Sequence, residues 1–441
     1  MNFQEENDKL LWNILDTTFF RAWREPNKLE HENWNKVELI INSICNLKCK
    51  YCYLAKYGEE LIPSSPKTKV LKNLSIFLNF LRENDLHPKS FEIFSGEPLV
   101  QDIGLSVLEQ VVDFYKDERI KPSITIPTNG TVLLYPKKFK RLKEILRKSE
   151  EYSLRVFLSF SIDGKYCESN RPFRVRGKVR DDKYYDRLFQ FAKEHNYSFH
   201  PMIYSEKIET WKDNFLWFQS MYEKYKIPWW WLYLLEVRNP EWSTHQIIEF
   251  MKFLNFLVKW SWNKCNRDPQ KFVDFIFKLR GFNILNIFST CGRGMPCSIQ
   301  STLHLRLGDL AIVPCHRTSY PAFIAGYFKV KDNKIVGVKA HNIETYLTIL
   351  TLDNRNLPLC ENCMIRNTCS KGCLGSQYET TGDLFSPIPT VCLLEHAKVI
   401  AIAEALDEIG MLERLIRVAS NIRSREIKRM YERWKEIVKK P

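Results

Sequence analysis

Thirteen cysteines stand in this 441-residue chain, and eleven of them fall into three groups. The first group is CNLKCKYC, which sets Cys45, Cys49 and Cys52 at the spacing Cys-x3-Cys-x2-Cys. The second is looser: Cys291, Cys297 and Cys315. The third places Cys360, Cys363, Cys369 and Cys373 in the stretch CENCMIRNTCSKGC, with Cys392 after a gap. Cys167 and Cys265 stand alone and read as ordinary buried thiols. Thiolates at such spacings are ligands for zinc or for iron–sulfur clusters.

The N-terminal MNFQEENDKLLWNILD carries acids where a signal peptide needs basic residues. No apolar run approaches the ~20 residues of a membrane span. The expected location is the cytoplasm, with no membrane partner. That compartment is reducing, which favours ligation over disulfides.

Counting ligands separates the two chemistries. Three thiolates as close as Cys45, Cys49 and Cys52 can hold three irons of a cubic 4Fe–4S cluster. No fourth cysteine follows nearby, so the fourth iron is open to an exogenous ligand. The remaining eight make two complete four-thiolate sets. Zinc ribbons pair two Cys-x2-Cys knuckles around a longer spacer, and in the third group only Cys360 and Cys363 have that spacing. A zinc-stapled nucleic-acid-binding protein is the non-enzymatic alternative, prompted by the net charge of +14. Eleven thiolates around three clusters lower that charge by about five. Much of the rest lies in the tail RSREIKRMYERWKEIVKK. Nucleic acid is therefore an unneeded partner, and an acidic peptide fits the charge equally well.

The elements that position these residues alternate. Strand-like KVELIINSIC (36–45), SFEIFSGEP (90–98), SITIPTNG (123–130), RVFLSFSIDG (155–164), SFHPMIY (198–204) and WWWLYLLEVRN (229–239) are separated by helical patterns. The strands are nearly continuous in apolar residues, so both faces are covered and the sheet is parallel. The predicted fold class is α/β, a partial (β/α)6 barrel of TIM type. Its active site belongs at the C-terminal ends of the strands, which puts Cys45, SGEP, TNG and SIDG on one rim. Around the barrel (37–240) the sequence divides into a helical lead-in (1–36), a helical linker (241–290), a cluster-bearing domain (291–395) and basic C-terminal helices (396–441). The tryptophans near the sixth strand, Trp211, Trp217, Trp229, Trp230, Trp231 and Trp242, are expected mostly to pack helices against the barrel.

In this order the motifs resemble the radical S-adenosylmethionine (SAM) superfamily, and the C-terminal part resembles its SPASM domain. The first cysteine group is similar to the family's SAM-cluster motif, with the aromatic Tyr51 before the third cysteine. SGEP looks like the family's Gly-Gly-Glu-Pro segment, with Ser95 replacing the first Gly. The resemblance implies that Gly96 and Glu97 receive the methionine amino group of SAM. It also implies that Ser161 and either Arg171 or Arg174 contact its carboxylate or ribose, with Asn129 and Asp163 in supporting places.

The upstream cysteines resemble those of anaerobic sulfatase-maturating enzymes. That likeness implies one auxiliary 4Fe–4S cluster on Cys291, Cys297, Cys315 and Cys373, and a second on Cys360, Cys363, Cys369 and Cys392. The sulfatase branch has Asp after the third upstream cysteine, where this chain has His316. His316 is thus the candidate base, and a sulfatase-type reaction becomes the alternative. The resemblance implies an oxidoreductase that generates a 5′-deoxyadenosyl radical and crosslinks or dehydrogenates a ribosomally made peptide. An external one-electron donor such as flavodoxin or ferredoxin is implied with it. A nucleic-acid or small-metabolite substrate is a further alternative. A fused leader-recognition domain needs on the order of 80 residues. Only 44 residues precede Cys45, so for a leader-bearing peptide recognition is expected elsewhere or in a separate leader-recognition protein.

Overall fold

The computed structural model describes residues 3–28, 35–175, 177–277, 282–288, 298–353, 357–369 and 372–438. Its strands are β1 (Lys36–Ile40), β2 (Ser90–Phe94), β3 (Ser123–Thr128), β4 (Arg155–Phe160), β5 (Ser198–Phe199), β6 (Met202–Ile203), β7 (Leu235–Glu236), β8 (Thr302–Arg306), β9 (Ala311–Val313), β10 (Gly326–Lys331) and β11 (Lys334–Ala340). Contacts divide the chain into two units. The first comprises Met1–Ser161, Pro172–Tyr197 and Ser298–Thr351, and the second Ile162–Arg171, Ser198–Cys297 and Leu352–Pro441.

In the first unit the strands run in the order β11-β10-β9-β8-β1-β2-β3-β4. β8, β1, β2, β3 and β4 are parallel neighbours, and β9 to β11 continue antiparallel. Val37 stands level with Phe91 on one side and Leu303 on the other, all three without exposed surface. Of the first four predicted strands only β1 is buried on both faces; β2, β3 and β4 alternate buried residues with half-buried ones, so the expected two-sided cover does not extend to them. Helices Lys67–Glu83, Asp102–Phe114 and Pro136–Glu151 make the crossovers, each with one buried apolar stripe. The β10–β11 hairpin turns on Asp332 and Asn333 at φ 50 and 60, a primed turn that matches the strand twist. The parallel strand β8 on the outer side of β1 was not foreseen. Its sequence STLHLRL reads only as a short strand.

The second unit carries two helices packed along each other, Thr244–Lys264 and Pro389–Glu408. Ser243 and Gln246 close a capping box at the start of the first. Two predicted strands shrink here. SFHPMIY is broken at Pro201, which has no N–H for the ladder, leaving β5 and β6. WWWLYLLEVRN keeps only β7, paired parallel with β6. Trp229 follows Pro228 into a turn and packs against Trp260, Phe275 and Phe282. Trp211 is buried against Phe253. These tryptophans are packing residues.

Three charges, Glu236, Glu395 and Lys398, are buried together in the second unit beside the half-buried Arg238. Lys398 Nζ donates to Glu236 at 3.1 Å and to Glu395 at 2.9 Å, and Arg238 Nη2 reaches Glu236 at 2.9 Å. Burial alone raises a carboxyl pKa, but Lys398 and then Arg238 pull Glu236 far below its ordinary value. Removing one partner leaves an uncompensated buried charge. Lys398→Met is expected to destabilise the protein by about 3–5 kcal/mol, read as a lower midpoint in chemical denaturation; an unchanged midpoint would show the quartet to be solvated.

Candidate active site

The chain leaves β1 into the loop that carries Cys45, Cys49 and Cys52, and the SGEP turn after β2 lies directly on it. Gly96 N donates to Asn42 O at 3.0 Å, and Glu97 N donates to Ile44 O at 2.9 Å. A Cβ on Gly96 would stand 2.3 Å from Ile44 O and 2.4 Å from Ser43 O, so only glycine permits this approach. Ser95 Oγ donates to Asn42 Oδ1 at 2.7 Å. Gln101 Nε2 donates to Ile44 O at 2.6 Å and to Glu97 O at 2.9 Å, while its Oε1 accepts from Asn42 at 2.8 Å.

Glu97 is 1% exposed and ties the ends of β2 and β3 together. Its carboxylate accepts from Thr128 Oγ1 at 2.7 Å, Asn129 N at 2.6 Å and Leu99 N at 3.1 Å. In the TNG turn, Gly130 is left-handed at φ 72. Asn129 Nδ2 donates to Asn46 Oδ1 at 3.0 Å and lies 3.8 Å from Cys45 Sγ. Ser161, at the end of β4, donates its N–H to Thr128 O at 2.7 Å. The predicted rim residues Cys45, Ser95, Gly96, Glu97, Asn129 and Ser161 are thereby brought into one network in the first unit.

Arg174 also belongs to this network. Its backbone N donates to Asn46 O at 3.0 Å and its Nε to Leu47 O at 3.2 Å. A cavity beside the cysteine loop is lined by Ser43, Cys45, Lys56, Glu59 and Arg174. Arg171 lies in the second unit and is engaged otherwise. Its Nε is 2.9 Å from Asp163 Oδ1, which also accepts from Met202 N at 3.1 Å. Tyr51 is half-buried in the turn before helix Tyr53–Leu61.

The loop fits a cluster by its donor set and its electrostatics. Leu47 N donates to Cys45 Sγ at 3.3 Å. Burial first, then Glu97 and the sulfurs of Cys49 and Cys52, push the Cys45 thiol up to about 12. A cation beside Cys45 offsets that cost, and iron supplies one. Among the described residues no three His, Cys, Asp or Glu side chains converge on a single metal ion. A cubane instead spreads its ligands over separate iron corners.

Cys315 and His316 follow β9 in the first unit. Arg317 N donates to Cys315 Sγ at 3.4 Å. The His316 ring stacks on Phe94, with centroids 4.1 Å apart and planes 9° apart. Its Nδ1 lies 3.0 Å from both oxygens of Glu38, a buried residue on β1. Burial opposes ionisation of Glu38, but His316 and His304 outweigh it and bring its pKa to about 2. Burial likewise opposes the imidazolium of His316, and Glu38 raises its pKa above the ordinary value. His304, 3.9 Å from Glu38, is held near 4, chiefly by burial. The sequence reading missed Glu38, although a carboxylate inside the apolar run KVELI is its own signal.

The third cysteine group lies in the second unit. Cys360, Cys369 and Cys392 line one cavity together with Leu357, Ile388 and Glu395. Cys363 Sγ is 3.7 Å from His396 Nε2. Glu426 holds the loop, accepting from Asn367 N and Thr368 N, each at 3.0 Å, and from Asn367 Nδ2 at 2.6 Å. Cys373 begins helix Leu374–Thr381 and does not line that cavity. Cys291 and Cys297 lie outside the described residues. Glu426 and His396 were also missed. His396 stands one helical turn after Cys392, a spacing that could have drawn attention to it.

No family model matches the chain. An alignment of 149 positions that covers 31% of this chain is 29% identical to the radical SAM cyclopropyl synthase TigE of Paramaledivibacter caminithermalis, and spans 29% of that protein's length. The fold is similar to that of native anSMEcpe with bound AdoMet, at TM-score 0.57 and 17% identity, covering 88% of this chain and all of that one. It is equally similar to native anSMEcpe with bound AdoMet and the Cp18Cys peptide, at TM-score 0.56 and 19% identity, covering 88% of this chain and 99% of that one. The mixed α/β fold, with its large parallel sheet and C-terminal helices, is thus one shared with those structures. Among the described residues no helix is long and apolar enough to cross a membrane.

Proposed function

We propose that this chain is a radical SAM oxidoreductase that crosslinks or dehydrogenates a ribosomally made peptide. The observation that carries the proposal is the rim in which the three-thiol loop, the Gly96–Glu97 turn and Asn129 are hydrogen-bonded to one another. Cys45, Cys49 and Cys52 would hold the SAM cluster. Bound together, that cluster and SAM supply a 5′-deoxyadenosyl radical able to take hydrogen from unactivated carbon.

The chain's own residues position and enclose. Glu97 has its carboxylate committed to β3 and Leu99, so its part is to hold the turn whose backbone faces SAM. Of the two arginines, Arg174 is the one bonded to the cysteine loop and lining its cavity. It is assigned the SAM carboxylate or ribose, with Ser161 beside it. Arg171 and Asp163 brace each other and the start of β6. Tyr51, next to Cys52, would stand at the bound cofactor. His316, oriented by Glu38, is the candidate base for a substrate proton.

Eight further cysteines would hold two auxiliary clusters, on Cys291, Cys297, Cys315 and Cys373 and on Cys360, Cys363, Cys369 and Cys392. The cavity shared by Cys360, Cys369 and Cys392 supports the second set. A peptide substrate is supported by the structural neighbour anSMEcpe, which holds the Cp18Cys peptide together with AdoMet. The work would proceed in the cytoplasm, with a flavodoxin- or ferredoxin-like electron donor and a separate leader-recognition protein.

Anaerobically purified protein is expected to carry about twelve irons and matching sulfide per chain, by colorimetric iron and acid-labile sulfide assay. Zinc without sulfide would overturn the proposal. For the substrate, short peptides encoded beside the gene are the probes. Mass spectrometry should show loss of two hydrogens per modification in the presence of SAM and a reductant.

A further inference from the structure

The basic stretch PFRVRGKVR (172–180) is accounted for only at Arg174. It holds three arginines and a lysine, and residues 42–58 around the first cysteine group hold three lysines. Neither stretch has an Asp or Glu. The first unit lays the two together. Leu47 and Phe173 form an antiparallel bridge, with Lys48 N donating to Pro172 O at 2.8 Å and Arg174 N to Asn46 O at 3.0 Å. The Arg180 guanidinium lies 5.1 Å from the centre of the Phe173 ring. Lys178 sits 4.0 Å over the Tyr135 ring, and its Nζ donates to Leu134 O at 2.9 Å. The segment is thus fastened to the cysteine loop and to the chain after the TNG turn. It leaves Lys48, Lys50 and Lys178 exposed around Val175 and Val179, which are 77% and 71% exposed. An apolar centre with a charged rim is the make-up of a protein-docking face.

We propose that an acidic one-electron carrier protein docks on this face to reduce the cluster of Cys45, Cys49 and Cys52. The inference rests on the proposed SAM cluster and gives its electron donor a place. Lys48 and Lys50 flank Cys49 within the cysteine loop, so a partner seated on them lies beside the thiols. Electron transfer falls steeply with distance, and that closeness is what the carrier needs. One electron leaves the reduced carrier and enters the oxidised cluster; no bond or proton moves with it. Opposite charge speeds the encounter more than it tightens the complex, and electron-transfer pairs make do with a small contact. A few lysines around two valines suit such a partner. The peptide substrate is served from another part of the loop, where Asn42 and Ile44 carry the Gly96–Glu97 turn.

The test compares reductants on the reconstituted full chain, on the double variant Lys48→Glu/Lys50→Glu and on Lys178→Glu. With reduced flavodoxin as donor, both variants should form 5′-deoxyadenosine more slowly than the parent, the double variant by about ten-fold at low salt. The parent's rate should fall as salt is added, and the double variant's should barely respond. With dithionite instead of flavodoxin, all three proteins should run alike. Fluorescence anisotropy of labelled flavodoxin reads the face without turnover, and the parent should bind tightest. Parental rates and binding in both variants overturn the proposal. So does equal slowing with dithionite, which would mean that the lysines act on the cysteine loop itself. Parental flavodoxin-driven rates with loss of peptide modification would give the face to the substrate instead. A parent that forms no 5′-deoxyadenosine even with dithionite would overturn the underlying SAM-cluster reading, while flavodoxin binding would still report on the face.

Discussion

Alanine at Cys45, Cys49 and Cys52 together is expected to take the protein from about twelve irons to about eight, and 5′-deoxyadenosine formation to background. The two effects have one cause. These thiols stand in a loop whose other contacts are satisfied within the protein. Leu47 N bonds Cys45 Sγ, and Asn129 Nδ2 lies against the same sulfur. The alanines cut none of the bonds that hold the loop to the SGEP turn, since Asn42 and Ile44 meet Gly96 and Glu97 through the backbone. The fold should therefore survive, with a circular dichroism spectrum like the parent's. The two auxiliary sets should keep their iron. Formation of 5′-deoxyadenosine by the triple variant would remove the SAM cluster from this loop.

Gly96→Ala has the second largest expected effect, and it acts through shape alone. The new methyl group would stand 2.3 Å from Ile44 O. That oxygen cannot simply move aside, because Glu97 N and Gln101 Nε2 both bond it, at 2.9 and 2.6 Å. Ser43 O blocks the other side at 2.4 Å. Either the SGEP turn or the cysteine loop must shift. The cost in stability is about 3 kcal/mol, read by denaturant titration. The displaced loop should also lose its perturbation by SAM in electron paramagnetic resonance, while the auxiliary signals persist. A variant with parental stability and an intact SAM response would show that the rim tolerates movement.

The first four strands and their crossovers were legible in the sequence because local pattern and final environment agree there. β1 to β4 each place buried Val, Leu, Ile or Phe residues at alternate positions, and each ends in a motif that breaks the strand. The last two strands were not legible, because Pro201 and Pro228 override the apolar runs around them. β8 was hidden for a different reason. Its placement beside β1 comes from a contact more than 260 residues away in the chain, which no local pattern encodes.

The candidate site divides the same way. Cysteine spacing and the short motifs SGEP and TNG name residues that the fold gathers. The residues that hold them, Asn42, Gln101, Asn46 and Glu426, are common polar types with no spacing of their own. The difference in surroundings between Arg171 and Arg174 likewise appears only in the coordinates. Three residues apart, they fall in different units, one paired to Asp163 and the other bonded to the cysteine loop.

The most direct test of the central claim is single-turnover chemistry without any substrate. Reconstituted protein is reduced with dithionite, mixed anaerobically with SAM and analysed by liquid chromatography with mass detection. The rim of Cys45, Cys49, Cys52, Gly96 and Arg174 predicts methionine and 5′-deoxyadenosine in equal amounts, above a control without reductant. Intact SAM in protein that carries its full iron and sulfide would contradict it.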